Sequence, residues 1–124
     1  MKLARKEFEE AVVSALKGLP PFFKKKMENI DVVVADRPTR RQVGRGREAR
    51  GETLLGLYEG VPLTERTETY GMVVPDKITI FQQPIESIYR SDTQIIAGIQ
   101  RVVRHEIAHH FGISDHRLNE LGMG

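Results

Sequence analysis

The sequence predicts an α+β protein in which a small sheet packs on one long helix. Three observations carry this. Apolar residues recur at helical spacing from about Ser91 to Phe111. A second helical pattern runs from about Leu3 to Lys17. Between the two lie three short stretches suited to strands, rich in β-branched residues and bounded by turn formers. The 124 residues suffice for one domain, 1–124, with a modest core, and no internal repeat is visible.

In chain order, Leu3, Phe8, Ala11, Val12, Ala15 and Leu16 form the stripe of the first helix, which Gly18 and Pro20-Pro21 end. Pro21 to Glu28 reads as a short second helix with Phe22, Phe23 and Met27 inward and the Lys24-Lys25-Lys26 run in water. Ile30, Val32, Val33 and Val34 mark Asn29 to Asp36 as a buried strand. Residues 37–52 carry Arg37, Arg40, Arg41, Arg45, Arg47 and Arg50 among Gly44, Gly46 and Gly51. They read as a flexible Arg-rich loop. Thr53 to Tyr58 is the second strand, with a turn at Glu59 to Pro62. Thr64 to Gly71 is polar and Met72 to Pro75 short and apolar. Asp76 to Gln82 alternates as a third strand, and Pro84 to Tyr89 fits a single helical turn.

Ser91-Asp92-Thr93 offers caps for the long helix. Its apolar positions Ile95, Ile96, Ile99, Val102, Val103, Ile107 and Phe111 fill roughly half the circumference at 100° per residue. His105 and His109 fall at one edge of that arc, and Glu106 falls just inside it. Gly98 lies on the histidine stripe two turns earlier, which leaves that side uncrowded. His110 projects into the apolar arc and reads as a core histidine. Asp115 to Leu121 forms a last short helix capped by Ser114, and Gly122-Met123-Gly124 is a tail.

Composition narrows the function classes. The net charge of +2 is too small to signal nucleic-acid binding by itself. With no cysteine there is neither a disulfide framework nor a thiolate metal site. The first residues lack the apolar core of a signal peptide, and no apolar run approaches the roughly 18 residues of a membrane span. A cytoplasmic protein with no membrane partner is the expectation.

The most informative stretch is His105-Glu106-Ile107-Ala108-His109-His110-Phe111-Gly112-Ile113-Ser114-Asp115, which reads HExxHxxGxxD. By average residue usage, HExxH alone arises by chance in well under about one in a hundred chains of this length. Helix positions i and i+4 lie about 40° apart, so His105 and His109 can offer two imidazole nitrogens to one metal ion. Glu106, about 100° round, is set beside that ion as a general base for a bound water. Gly112 suits a left-handed helix end, after which Asp115 can swing back as third ligand. His116 is the rival, about 100° away on the next helix. Three protein ligands and an open fourth position describe a catalytic zinc site, and the implied reaction is metal-assisted hydrolysis of an amide. No residue for the oxyanion stands out. Tyr58, Tyr70 and Tyr89 are the available phenols, and each suits ordinary packing.

The chain resembles the zincin-like "possible zinc metallopeptidase" family of small bacterial proteins, also called minimal metalloprotease-like. The resemblance rests on Leu54-Leu55-Gly56-Leu57-Tyr58-Glu59-Gly60-Val61-Pro62-Leu63, on Pro75-Asp76-Lys77-Ile78-Thr79-Ile80, and on the run from His105 to Asp115 with Leu118. It spans about residues 53 to 121. It implies a reduced zincin-like fold, with a small mixed β-sheet on a long active-site helix plus the N-terminal helix. It implies Zn²⁺ as cofactor, with Asp115 as third ligand, and a peptide or extended protein as substrate. In zincins an edge strand holds the substrate backbone by β-addition. Ile78 to Phe81 is the first candidate here, and Thr53 to Tyr58 the second. A different class of function is a non-catalytic scaffold whose Arg-rich loop binds nucleic acid or an acidic protein. No aromatic residue is interleaved in that loop to stack on bases.

Overall fold

The protein is described from a computed structural model, which covers residues 1–45, 54–60 and 75–122. Six helices and three strands are seen there. They are α1 (Arg5–Lys17), α2 (Pro21–Lys26), β1 (Ile30–Ala35), α3 (Arg40–Arg45), β2 (Gly56–Glu59), β3 (Asp76–Phe81), α4 (Gln82–Ile88), α5 (Asp92–His110) and α6 (Asp115–Glu120). The Arg-rich segment is thus not a loop throughout, because Thr39 initiates α3. The Thr39 hydroxyl accepts from the Gln42 amide, while the Gln42 side chain accepts from the Thr39 amide. That reciprocal pair satisfies two amides that a helix start would leave open. Arg47 and Arg50 lie outside the described residues, as do Tyr70, the segment Thr64 to Gly71, and Met72 to Val74.

The strand order is β1-β3-β2. β1 runs parallel to β3, Ile30 facing Asp76 and Ala35 facing Phe81. β2 runs antiparallel to β3, Gly56 facing Ile80 and Glu59 facing Lys77. The sheet is therefore mixed, and β3 is its middle strand. This overturns the expectation that Ile78 to Phe81 is a free edge, since both sides of its backbone are spent on ladders. The expectation for β1 also changes. Among the described residues it is an outer strand with Val33 exposed, while Ile30, Val32 and Val34 lean on the main core.

The core lies between the sheet and the stacked pair α1 and α5. Phe8, Val12 and Ala15 meet Ile95, Ile99, Val103 and Ile107, with Ile78 and Ile80 from β3 beneath them. Phe23 is buried from α2, while Phe22 turns outward against expectation. Phe81, on the opposite face of β3, packs with Leu54 and Leu57, which explains why both faces of that strand are apolar. Gly18 has a packing role beyond ending α1. A Cβ there would lie 2.5 Å from Gln100 Nε2, which donates to the Ala15 carbonyl and ties α1 to α5.

The chain enters α4 directly from β3. The helix thus begins two residues earlier than the expected turn at Pro84. Gln82, at its start, is buried in a polar knot. Its side chain donates to the Leu3 carbonyl and to Glu86, and accepts from Arg5 Nε. Glu86 in turn accepts from the Leu3 amide. With each polar group matched, the knot fastens the segment before α1 to α4.

Candidate metal centre

The end of α5 builds the site. The Gly112 amide donates to the His109 carbonyl and the Ile113 amide to the Ala108 carbonyl, with Gly112 at φ +74°. This paired closure requires a left-handed residue at Gly112, where a side chain would be strained. Ile113 tucks against the core and holds the reversal. Ser114 then caps α6 by accepting from the Arg117 amide at 3.1 Å. Asp115 consequently occupies the first turn of a new helix that folds back beside α5.

The outcome is convergence on one carboxylate oxygen. Asp115 Oδ1 lies 4.0 Å from His105 Nε2 and 3.9 Å from His109 Nε2. The two imidazole rings have centroids 6.0 Å apart. The side chains are 40% exposed for His105, 24% for His109 and 64% for Asp115, so the site opens to solvent. His116 is 86% exposed and faces Glu120 at 3.7 Å, pointing away from the pair. Of the sequence candidates, His105, His109 and Asp115 are brought together and His116 is not.

Two imidazoles and a carboxylate are the donor chemistry that zinc accepts. Ligands about 2.05 Å from a tetrahedral ion sit about 3.3 Å from one another. The observed separations are longer, and among the described residues no three His, Cys, Asp or Glu side chains stand at metal-holding distances. The set fits the ion in chemistry and direction. His109 Nδ1 is buried without a hydrogen-bond partner among the described residues.

Glu106 takes a different position on the same turn. Its Oε1 accepts from the backbone amide of Tyr58 at 2.9 Å. β2 comes this close to α5 because of Gly56, where a Cβ would lie 2.4 Å from Val102 Cγ1. The Tyr58 amide is thereby fixed on a carboxylate. Tyr58 also donates its hydroxyl to Asp76 Oδ2 at 2.5 Å and stacks on His110 with centroids 3.9 Å apart. His110 Nε2 lies 3.9 Å from the same Asp76 oxygen. His110 is accordingly a surface residue, 38% exposed, and not the core histidine expected. Phe111 is exposed as well, with Lys26 Nζ 4.6 Å above its ring. Sequence reasoning missed the Tyr58–Asp76–His110 cluster. Its members lie on three separate segments, and no spacing rule links them.

The flank around Gly98 differs too. It is not open space, because a Cβ there would lie 2.3 Å from the Tyr89 ring. Tyr58 is committed to Asp76, and Tyr89 lies along α5. Neither stands as an evident oxyanion donor.

The comparisons with known proteins agree with this architecture. A conserved hypothetical protein from a strain of T. thermophilus has a similar structure, with TM-score 0.53 and 17% identity over 88% of this chain and 94% of that one. At that identity the likeness speaks for the fold alone. No curated protein matches the chain. Residues 27–124 match the family described as zincin-like metallopeptidase, a span holding all three strands, α5 and the converging His105, His109 and Asp115, and the chain belongs to that family.

Proposed function

We propose that the protein is a zinc-dependent metallopeptidase that hydrolyses peptide bonds. The observation that carries this is the direction of three donors: both imidazole Nε2 atoms face one oxygen of Asp115. Family membership supports the same reading. A zinc ion held by His105, His109 and Asp115 would polarise the substrate carbonyl and acidify a water.

The remaining work falls to the chain. Glu106 is the general base, receiving the proton of the attacking water and handing it to the leaving amine. Its bond to the Tyr58 amide restricts the carboxylate's rotation, which keeps it oriented before substrate arrives. An extended substrate lies beside β2, the outer strand among the described residues next to α5, in place of the central β3. The solvent-open site admits peptides and extended segments.

The test is a zinc titration of metal-stripped protein, followed by cleavage of a peptide library by wild type and Glu106→Gln. One zinc per chain, with cleavage abolished in the variant at unchanged zinc, is the expected result. Failure to bind zinc, or equal cleavage by both proteins, would overturn the reading.

A further inference from the structure

A groove of about 460 Å³ lies along α5 on the N-terminal side of His105. Its volume is within the range of small-ligand sites, about 300–1,000 Å³. Ile88 and Tyr89 form one wall and Gln94, Gly98, Arg101 and Arg104 the other. Gly98 makes the wall possible, since its missing side chain lets the Tyr89 ring lie against the helix. Among the described residues that line it, the groove holds two guanidinium groups and no carboxylate. Among the described residues, neither Arg101 nor Arg104 pairs with an acid. Arg104 Nε is buried with no hydrogen-bond partner there, which is unusual for so polar a group.

We propose that this groove binds a carboxylate of the peptide whose scissile bond sits at His105, His109 and Asp115. Placement supports the match. Arg101 lies one helical turn before His105, about 6 Å along the axis, and Gly98 lies about 10 Å before it. An extended peptide advances about 3.3 Å per residue. A carboxylate two or three residues from the scissile bond therefore reaches the arginines. Planar guanidinium forks match carboxylates in two parallel hydrogen bonds, and the Tyr89 and Ile88 wall suits an apolar neighbour. Two cations are too few to track a nucleic-acid backbone. The carboxylate is either the C-terminus or an acidic side chain.

The inference rests on the peptidase reading for its register, so the test reads binding instead of turnover. A fluorescein-labelled six-residue alanine–leucine peptide is prepared in three forms: free C-terminus, amidated, and amidated with one glutamate. Anisotropy titrations use metal-free wild type, Arg101→Gln/Arg104→Gln and, as a charge control, Arg117→Gln. At least one carboxylate form should bind about tenfold tighter than the neutral amide. A preference for the free C-terminus identifies the terminal carboxylate, and a preference for glutamate identifies the side chain. The double variant should lose the preference, while Arg117→Gln keeps it. Circular dichroism and thermal melting confirm that the double variant is folded, and Arg101→Lys should retain part of the preference. Equal binding of all three forms, a preference that survives the double variant, or tighter binding of a single-stranded oligonucleotide of six residues would overturn the proposal. Because no zinc is present, a failed hydrolysis assay would leave this result standing.

Discussion

Two clusters share the last turns of α5, and they are built in opposite ways. On one flank, His105, His109 and Asp115 face each other across 3.9 to 4.0 Å without direct hydrogen bonds. On the other, Glu106, Tyr58, Asp76 and His110 are joined by a 2.9 Å bond, a 2.5 Å bond and a stacked ring pair. The first set is held from behind by backbone closure and left open in front. The second is joined by direct contacts among its own members. A turn of helix can thus present an open donor set and a locked carboxylate side by side, because adjacent positions point about 100° apart. An open set has something to gain from a ligand. A closed set can orient a base but has little slack.

This contrast can be broken at several points. The largest effect is expected from Glu106→Gln, which keeps an acceptor for the Tyr58 amide and removes the proposed base. Peptide cleavage should fall by about 10²- to 10⁴-fold while zinc stoichiometry is unchanged. Loss of zinc as well, measured by atomic absorption, would show that the two clusters are one. The next effect concerns the open flank. Zinc at about a hundred times its Kd should stabilise wild type by about 2.7 kcal/mol, raising Tm by roughly 10 °C. Asp115→Ala should lose most of that rise, and His116→Ala should keep it. An equal loss in both would contradict the assignment of the third ligand.

Tyr58→Phe probes the closed flank. Losing the hydroxyl bond to Asp76 should cost about 2 kcal/mol in urea unfolding, with zinc affinity within about twofold of wild type. A collapse of zinc affinity would show that the Tyr58 cluster also shapes the donor set. The smallest effect is Gly112→Ala. Forcing a side chain into φ +74° should cost about 1 kcal/mol and weaken zinc binding, because Asp115 follows from that reversal. Wild-type zinc affinity in this variant would mean that the carboxylate finds its place without the glycine bend.

Much of the site was legible because its key relations are local. His105 and His109 are one turn apart, Gly112 marks a helix end, and Ser114 marks a helix start. Each rule acts within four or five residues, so the chain announces it directly. The long helix and the three strands were legible for the same reason, since period and β-branching are properties of short windows. Within 37–52, residues 40–45 misled because the segment's glycines and arginines outweighed the Thr39–Gln42 pair that starts α3.

Relations between distant segments left no such mark. The side chains of β1, β2 and β3 do not say which strand lies in the middle, yet that order removes Ile78 to Phe81 as an edge and, among the described residues, leaves β1 and β2 outermost. His110 has the angular position of a core residue, but the α5 stripe ends before it and Tyr58 draws it to the surface. The partner of Glu106 is a backbone amide, which is the same chemical group at every non-proline residue and so invisible in composition. Local sequence could thus name the candidate ligands and the candidate base. Their surroundings were settled only when segments roughly 20 to 50 residues apart packed together, because pairing and close approach depend on shape and burial across the whole chain.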